Sequence, residues 1–209
     1  MPRPRTLKIA EAFASFQGEG ARQGEPTIFV RLAGCNLACD FCDTKSARRG
    51  GRLASVQAIL ARVERLRKRF PAEWVCLTGG EPMVQDVGPL VAALRKAGFR
   101  VQIETNGTIF RPVAVDRITV SPKPPGYAVH PSFRKSAAEV KLVVSRDLAL
   151  PTVARVRKTF PASTPLFLQP ESNAAWSRDK AARLAGAALR TGLKNIRLSL
   201  QLHKVYGMR

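Results

Sequence analysis

Short apolar runs alternate with amphipathic stretches along most of the chain. Eight runs have the length and composition of strands, and they cover residues 7–14, 27–32, 74–77, 100–104, 117–120, 139–144, 165–168 and 195–200. The alternation of strands and helices predicts βαβ units, and therefore an α/β fold with mostly parallel strands. A complete barrel of eight such units takes about 250 residues. This chain has 209 residues, so we expect an incomplete TIM-like barrel.

Three helices are indicated by apolar residues that recur on one face. The first face consists of Leu53, Val56, Ile59, Leu60, Val63 and Leu66, the second of Val87, Leu90, Val91 and Leu94, and the third of Ala181, Leu184, Ala185, Ala188 and Leu189. Gly98 and Gly192 follow the second and third helices, where glycine commonly ends a helix. A further helix is expected near residues 152–160. Segments 45–73 and 145–164 carry no motif that assigns them a function.

The composition is that of an ordinary globular protein with an excess of positive charge. Hydrophobic residues make up 45% of the chain, and no apolar run approaches the ~20 residues of a membrane-spanning helix. The start lacks the apolar stretch of a signal peptide, so we expect a cytoplasmic protein. The net charge of +20 fits solvated helix faces or attraction to an acidic partner. Binding to nucleic acid is disfavoured, because aromatic residues are only 7% of the chain and no groove-reading motif appears.

Three cysteines lie within eight residues, with the spacing Cys35-x3-Cys39-x2-Cys42. A structural zinc site usually has four protein ligands, whereas iron–sulfur clusters are ordinarily held by cysteine thiolates. Three close thiolates suit a 4Fe-4S cluster with one iron left open to a substrate or cosubstrate, as in the signature of radical S-adenosylmethionine (SAM) enzymes, which this spacing resembles. The fourth cysteine, Cys76, lies in an apolar run and is expected in the core.

Polar motifs follow the predicted strands, where the chemistry of parallel α/β folds gathers. Thr78-Gly79-Gly80-Glu81-Pro82 is the first of them, and its paired glycines let a ligand approach the backbone. The others are the segment 104–108, which contains Asn106, the tripeptide Ser121-Pro122-Lys123, the residue Gln169 and the late histidine His203. Each motif taken alone has an ordinary structural explanation as a turn or a surface residue. The evidence for a functional role is that all of them follow predicted strands.

Three features near the amino terminus are candidates for substrate or metal binding. The loop Phe16-Gln17-Gly18-Glu19-Gly20 could fold its backbone around a planar polar heterocycle. Arg31 is a charged residue inside an apolar strand and needs a partner, and its guanidinium could grip a substrate carboxylate with two hydrogen bonds. Thr44 follows Cys42 and Asp43, and its hydroxyl could offer an oxygen to magnesium.

Taken in order, these motifs resemble the 7-carboxy-7-deazaguanine synthases, radical SAM enzymes of queuosine and deazapurine biosynthesis. The resemblance covers residues 8–209, and the loop 16–20, Cys42-Asp43-Thr44 and Gln201-x-His203 are its specific parts. It implies one radical SAM domain over residues 1–209, which converts 6-carboxy-5,6,7,8-tetrahydropterin to 7-carboxy-7-deazaguanine with loss of ammonia. It also implies Mg²⁺ as a second metal and a homodimer. The electron donor would be a reductase partner, for which an acidic flavoprotein suits the charge.

The resemblance also implies a role for individual residues. Cys35, Cys39 and Cys42 would hold the cluster, and Thr44 would bind magnesium. The SAM contacts would be Phe41, Gly79, Gly80, Glu81, Asn106, Ser121, Pro122, Lys123 and Gln169. The pterin contacts would be Phe16, Gln17, Gly18, Arg31, Thr78 and, as a weaker candidate, Arg209. Arg31, Glu19 and His203 would be the catalytic residues.

Two other functions compete with this interpretation. The first is another radical SAM enzyme, such as an activase that forms a glycyl radical on a protein partner, which would share the cysteines and the glycine turn. It would not be expected to need the loop 17–20 or His203. The second is a zinc-containing nucleic-acid-binding protein, prompted by the charge, for which Cys76 or His130 would have to supply a remote fourth ligand.

Overall fold

The computed structural model describes residues 6–208, which form two compact units. Within the described part, the first unit comprises residues 6–16, 25–105 and 109–118, and the second comprises residues 17–24, 106–108 and 119–208. The single domain expected over residues 1–209 stays a prediction.

The first unit combines antiparallel and parallel strands. Its elements are β1 (Thr6–Phe16), β2 (Pro26–Leu32), α1 (Lys45–Arg49), β3 (Arg52–Ser55), α2 (Val56–Arg69), β4 (Trp74–Gly79), α3 (Gly88–Lys96) and β5 (Arg100–Thr105). The strand order is β3-β1-β2-β4-β5. Strand β1 runs antiparallel to β2 and β3, whereas β2, β4 and β5 are parallel to one another.

The second unit contains parallel strands that alternate with helices. Its elements are β6 (Arg117–Val120, whose first two residues belong to the first unit), α4 (Phe133–Ser136), β7 (Glu139–Val144), α5 (Leu150–Thr159), β8 (Leu166–Pro170), α6 (Ala175–Arg190), β9 (Ile196–Leu198) and α7 (Leu202–Val205). The order is β6-β7-β8-β9, all parallel. Neither unit's strand order closes on itself within the described residues. The predicted open, mostly parallel α/β fold is therefore confirmed.

The helices cover the strands with the predicted apolar faces. Helix α3 buries Leu90, Val91 and Leu94, and Gly98 follows its end with a φ of +80°. Helix α5 confirms the helix expected near residues 152–160. Among the helices of residues 6–208, none has both the length and the apolar character that crossing a bilayer requires.

Two details of the helix predictions were wrong. Leu53 lies on β3, which the sequence did not indicate, and its side chain is 74% exposed. This edge strand pairs with β1, and Ser55 then caps α2 by accepting a hydrogen bond from the Ala58 amide at 3.1 Å. Leu189 is also exposed, because α6 packs through small residues of which Ala185 and Ala188 are examples.

Candidate active site

The three cysteines lie on the loop between β2 and α1, and each is half-buried. The amide of Leu37 donates to Sγ of Cys35 at 3.4 Å, and the amide of Cys42 donates to the carbonyl of Cys39 at 3.3 Å. Burial raises the pKa of the Cys35 thiol, and the Leu37 amide opposes this rise. These hydrogen bonds give the cysteine-bearing loop a defined local backbone conformation. Phe41 is half-buried on the same loop.

The donor chemistry of this loop fits an iron–sulfur cluster, which is ligated by cysteine thiolates. Within residues 6–208 no three His, Cys, Asp or Glu side chains are already arranged as a set of metal ligands. The fourth cysteine is no part of the loop, because Cys76 is fully buried in β4 against Phe13 and Phe29. This position confirms the assignment of Cys76 to the core.

The glycine turn after β4 packs directly against the cysteine loop. The amide of Gly80 donates to the carbonyl of Leu32 at 3.0 Å, and the amide of Glu81 donates to the carbonyl of Gly34 at 2.8 Å. A Cβ atom on Gly80 would collide with the Gly34 carbonyl and would lie 3.2 Å from Cβ of Cys35. Gly79 has a φ of +127°, which side-chain-bearing residues rarely adopt. Both glycines are therefore required to bring the two segments together.

Glu81 supports this turn from inside the protein. Its side chain is fully buried, and its Oε1 accepts hydrogen bonds from the Met83 amide at 3.0 Å and from Oγ1 of Thr105 at 2.7 Å. The carboxylate therefore ties the start of the turn at Pro82–Val84 to the end of β5. A contact of Glu81 with SAM stays a prediction.

Thr44, expected to bind magnesium, also lies at the glycine turn. Its Oγ1 donates to the carbonyl of Gly79 at 3.5 Å and lies 3.7 Å from Sγ of Cys42. Thr78, expected to contact the substrate, is half-buried on the last part of β4. The structure therefore brings the cysteines, the glycine turn, Thr44 and Thr78 into one neighbourhood of the first unit.

Arg31 lies on β2 and has the partner that its position in an apolar strand requires. Its Nε donates to Oε1 of Glu11 at 2.9 Å, and its guanidinium lies 5.6 Å from the centre of the Phe13 ring. Phe16, another expected substrate contact, is 37% exposed at the end of β1 and packs edge-on against Phe70.

In the second unit the segment 17–24 is fixed by its own backbone and by the chain end. The amide of Gly24 donates to the carbonyl of Gln17 at 2.8 Å, and the amide of Leu202 donates to the carbonyl of Gly18 at 2.9 Å. A Cβ atom on Gly18 would collide with the imidazole of His203. The structure therefore brings Gln17, Gly18 and His203 together, as the sequence resemblance implied.

Glu19, which is half-buried, forms an ion pair with the buried Lys141, a residue that was not singled out from the sequence. The ammonium of Lys141 donates to Oε2 of Glu19, and Nε2 of Gln201 donates to Oε1 at 2.8 Å. Burial on its own would raise the pKa of the Glu19 carboxyl. The charge and hydrogen bond of Lys141, with help from Gln201 and His203, outweigh burial and hold this pKa below its usual value.

The remaining candidates for SAM binding lie at strand ends of the second unit. Nζ of Lys123 donates to Oγ of Ser121 at 2.5 Å, and this hydroxyl donates to the carbonyl of Lys141 at 2.9 Å. Pro122, which lies between these two residues in the sequence, is buried. Oδ1 of Asn106 accepts from the Thr108 amide at 2.9 Å and so forms the local turn.

Gln169 has a buried amide group without an internal partner. The residue is 1% exposed at the end of β8, and neither Nε2 nor Oε1 has a hydrogen-bond partner among the described residues. A buried amide in this state costs free energy unless a ligand or water completes its bonds. This orphaned group is the clearest sign of a ligand in the second unit. Arg209, the weaker candidate for substrate binding, lies outside the described residues.

Comparison with known proteins gives a family match over about half of the chain and relatives that match nearly all of it. The family model described as the radical SAM superfamily matches residues 29–135. A 7-carboxy-7-deazaguanine synthase of Methanospirillum hungatei is 39% identical to this chain, over 97% of this chain and 86% of its own length. One from Rhodospirillum rubrum is 36% identical, over 96% of this chain and 92% of its own length.

A solved structure is similar over the same extent. The crystal structure of QueE from Escherichia coli matches this chain with a TM-score of 0.79 and 31% sequence identity, and the match covers 95% of each chain. The similarity therefore extends over nearly all of the chain and is not confined to one motif.

Proposed function

We propose, because the chain belongs to the 7-carboxy-7-deazaguanine synthase family of radical SAM enzymes, that it converts 6-carboxy-5,6,7,8-tetrahydropterin to 7-carboxy-7-deazaguanine with release of ammonia. This is a carbon–nitrogen lyase reaction of queuosine biosynthesis. The observation that carries the proposal is the 39% identity to a synthase over 97% of this chain. A glycyl-radical activase would share the cysteine loop and the glycine turn, but it gives no reason for a match of this extent.

Membership of the radical SAM family implies a 4Fe-4S cluster and SAM. Cys35, Cys39 and Cys42 would hold the cluster, and together the two cofactors supply one-electron radical chemistry. The glycine turn supports this assignment, because Gly80 has no side chain where the backbone meets the cysteine loop. In the second unit the orphaned amide of Gln169 and the hydroxyl of Ser121 are the polar groups that we assign to SAM.

The substrate carries a carboxylate and a polar heterocycle, and the chain has residues suited to each. Arg31 would bind the carboxylate, because its bond to Glu11 uses Nε and leaves the terminal nitrogens for a ligand. Glu19, held as an anion by Lys141, would accept hydrogen bonds from N–H groups of the heterocycle. Phe16, Gln17, Gly18, Thr78 and His203 are proposed as further contacts, on the family resemblance.

Magnesium and a second copy of the chain complete the proposal. Thr44 would give one hydroxyl oxygen to Mg²⁺, with the remaining ligands supplied by substrate and water. Its support is the position of this hydroxyl beside Cys42 and the glycine turn. The homodimer and the cytoplasmic location rest on the family and on the sequence.

The electron donor is proposed to be a small acidic flavoprotein. The chain carries a net charge of +20, and complementary charge speeds the encounter of two proteins. Salt screens such attraction, with a Debye length of about 10 Å at 0.1 M ionic strength. The rate of reduction by such a donor should therefore fall as salt is added. A rate that does not change with salt would contradict the electrostatic part of the proposal.

One anaerobic assay tests the function. The purified protein is incubated with 6-carboxy-5,6,7,8-tetrahydropterin, SAM, Mg²⁺ and a chemical reductant, and the products are separated by chromatography. We expect 7-carboxy-7-deazaguanine and ammonia in equal amounts, without consumption of SAM in proportion, because the conversion leaves the oxidation state unchanged. Omission of Mg²⁺ should lower the rate. SAM cleavage without any deazaguanine product would favour the activase. Zinc in place of iron and sulfide in protein purified without air would favour the nucleic-acid-binding alternative.

A further inference from the structure

One acidic and one basic side chain on β7 hold the segment 17–24 in the second unit. Glu139 and Lys141 are two residues apart on this strand and therefore point to the same face. Both are almost completely buried, with exposed fractions of 1% and 6%. A strand interior is a costly place for two charged groups unless both are paired. The hydrogen-bond partners of each side chain show which part of the segment 17–24 it holds.

Glu139 fixes the backbone of the segment. Its Oε2 accepts a hydrogen bond from the Ala21 amide at 2.9 Å, and its Oε1 accepts one from Oγ1 of Thr119 at 2.8 Å. Gly20 has a φ of +72°, and a Cβ atom there would collide with the Glu139 carboxylate. Glu139 therefore sets the path of the chain just after Glu19.

Lys141 fixes the side chain that precedes this backbone. Its ammonium is paired with Oε2 of Glu19, while Gln201 occupies one position on Oε1. A carboxylate has about four acceptor positions, so it can still accept hydrogen bonds from a ligand after these two bonds. The titratable groups that face Glu19 are Lys141 from β7 and His203 from α7. Lys141 is the one of these that donates directly to the carboxylate.

The backbone of Lys141 has a separate partner. Its carbonyl oxygen accepts the hydrogen bond from Oγ of Ser121, a residue that we assign to SAM. A substitution of the Lys141 side chain leaves this carbonyl in place. The two bonds can therefore be separated by experiment, because loss of the side chain should disturb Glu19 and should spare Ser121.

From these contacts we infer that Lys141 is a positioning residue for the pterin substrate. It holds the Glu19 carboxylate in one orientation, as an anion, so that Glu19 accepts hydrogen bonds from the N–H edge of the heterocycle. Glu139 holds the adjoining backbone in place through its hydrogen bond with the Ala21 amide. This inference rests on the proposed function, since it assigns the partner of Glu19 in that same reaction.

The test compares five variants with the wild type in the anaerobic assay. Lys141→Met removes the charge, Lys141→Arg keeps it, and the double variant Glu19→Gln/Lys141→Met is compared with Glu19→Gln alone. Lys180→Met is the matched control, because Nζ of Lys180 donates to the carbonyl of Ser145 at 3.0 Å, with no carboxylate among its hydrogen-bond partners. The measured quantities are KM for the pterin, KM for SAM, cluster iron and the pH profile of kcat/KM.

Lys141→Met should raise KM for the pterin at least about tenfold, because hydrogen bonds to charged groups are strong. KM for SAM and the cluster iron should stay close to wild type, and Lys141→Arg should recover most of the loss. The acid limb of kcat/KM should move to higher pH in Lys141→Met, because a buried carboxyl without its cation protonates more readily. Lys180→Met should change none of these quantities.

The double variant keeps the test valid if Lys141→Met folds poorly, because it buries no unpaired charge. If Lys141 acts through Glu19, adding Lys141→Met to Glu19→Gln should change the pterin KM little. An equal further loss in that background would overturn the inference, as would an unchanged pterin KM in Lys141→Met or a parallel loss of SAM binding and cluster. If the wild type forms no deazaguanine at all, the proposed function fails, and the inference fails with it.

Discussion

Arg31 and Glu11 are directly opposite each other on the antiparallel strands β2 and β1, and Nε of Arg31 donates to Oε1 of Glu11 at 2.9 Å. The pair is partly exposed, with 19% of the arginine side chain and 29% of the glutamate side chain accessible. The guanidinium is also held over the Phe13 ring. Arg31 is therefore oriented before any ligand binds, which lowers the entropy that a carboxylate ligand must overcome.

Arg31→Lys should weaken the use of the pterin and spare the cofactors. Lysine keeps the charge but cannot form two parallel hydrogen bonds with a carboxylate. We expect kcat/KM for the pterin to fall roughly thirtyfold, which corresponds to about 2 kcal/mol of lost charge-assisted hydrogen bonding. Cluster iron and SAM cleavage without the pterin should be unchanged. Kinetic assays under anaerobic conditions measure kcat/KM and SAM cleavage, and iron analysis measures the cluster.

The matched control is Arg67→Lys. Arg67 also packs over an aromatic ring, that of Phe99, and donates to the carbonyl of Ala97 at 3.3 Å. It has no assigned role in binding, so this variant should keep the wild-type kcat/KM. If the two variants lowered kcat/KM equally, the carboxylate-binding role of Arg31 would be contradicted.

The fold was largely predictable because apolar periodicity reports which residues are buried. Strands such as β6 and β7 were predicted with the bounds that the structure has. The edge strand β3 was missed, because Leu53 continues the helical spacing of α2 although its side chain points to solvent. Pairing with β1 determines that strand, and pairing between distant segments leaves no local signal in one sequence.

The candidate site was predictable where a residue type has few other uses. The cysteine loop and the glycine turn were identified from spacing, and they meet in the structure. Lys141 was missed, although it is a charged residue in an apolar strand, the same signal that identified Arg31. Its partner Glu19 is 122 residues away in the sequence. Only the fold shows that pairing, so the network around Glu19 could not be derived beforehand.

Cys39→Ala should remove the cluster and the reaction together. Three thiolates are the expected protein ligands of the cluster, and the loss of one leaves too few to retain it. We expect the brown absorbance, the bound iron and SAM cleavage all to disappear in anaerobically prepared protein. Cys76→Ala is the control, because Cys76 lies in the core against Phe13 and Phe29. This change should keep the cluster and lower the free energy of unfolding by about 1 kcal/mol. Retention of iron and SAM cleavage by Cys39→Ala would refute the cluster assignment.

Gly80→Ala should disturb the contact between the glycine turn and the cysteine loop. The added methyl group would meet the carbonyl of Gly34, which is backbone and cannot turn aside, and would approach Cβ of Cys35. We expect reduced iron content and a higher KM for SAM. In Gly126→Ala nothing lies within 4 Å of the added atom, so both quantities should match the wild type. Normal iron and SAM binding in Gly80→Ala would show that the two segments can move apart without loss of function.

Glu19→Gln should lower stability at neutral pH and have progressively less effect in acid. At pH 7 the variant leaves the buried Lys141 ammonium without its counter-charge, and removal of one member of a buried ion pair costs about 3 kcal/mol. The folded-state pKa of Glu19 is lowered from the ordinary value of 4.5. A lowered pKa means that the ion pair stabilises the fold above the unfolded value and that this contribution is lost as the pH falls through the folded value.

The difference in unfolding temperature between wild type and Glu19→Gln should therefore be constant near neutrality and should shrink below pH 4.5. Thermal unfolding of anaerobically prepared protein, followed by circular dichroism at a series of pH values, measures this difference. Glu73→Gln is the control, because Glu73 is exposed and such a surface change should alter stability little at any pH. A gap that stays constant down to strongly acidic pH would show that Glu19 and Lys141 stabilise the fold by packing rather than by charge.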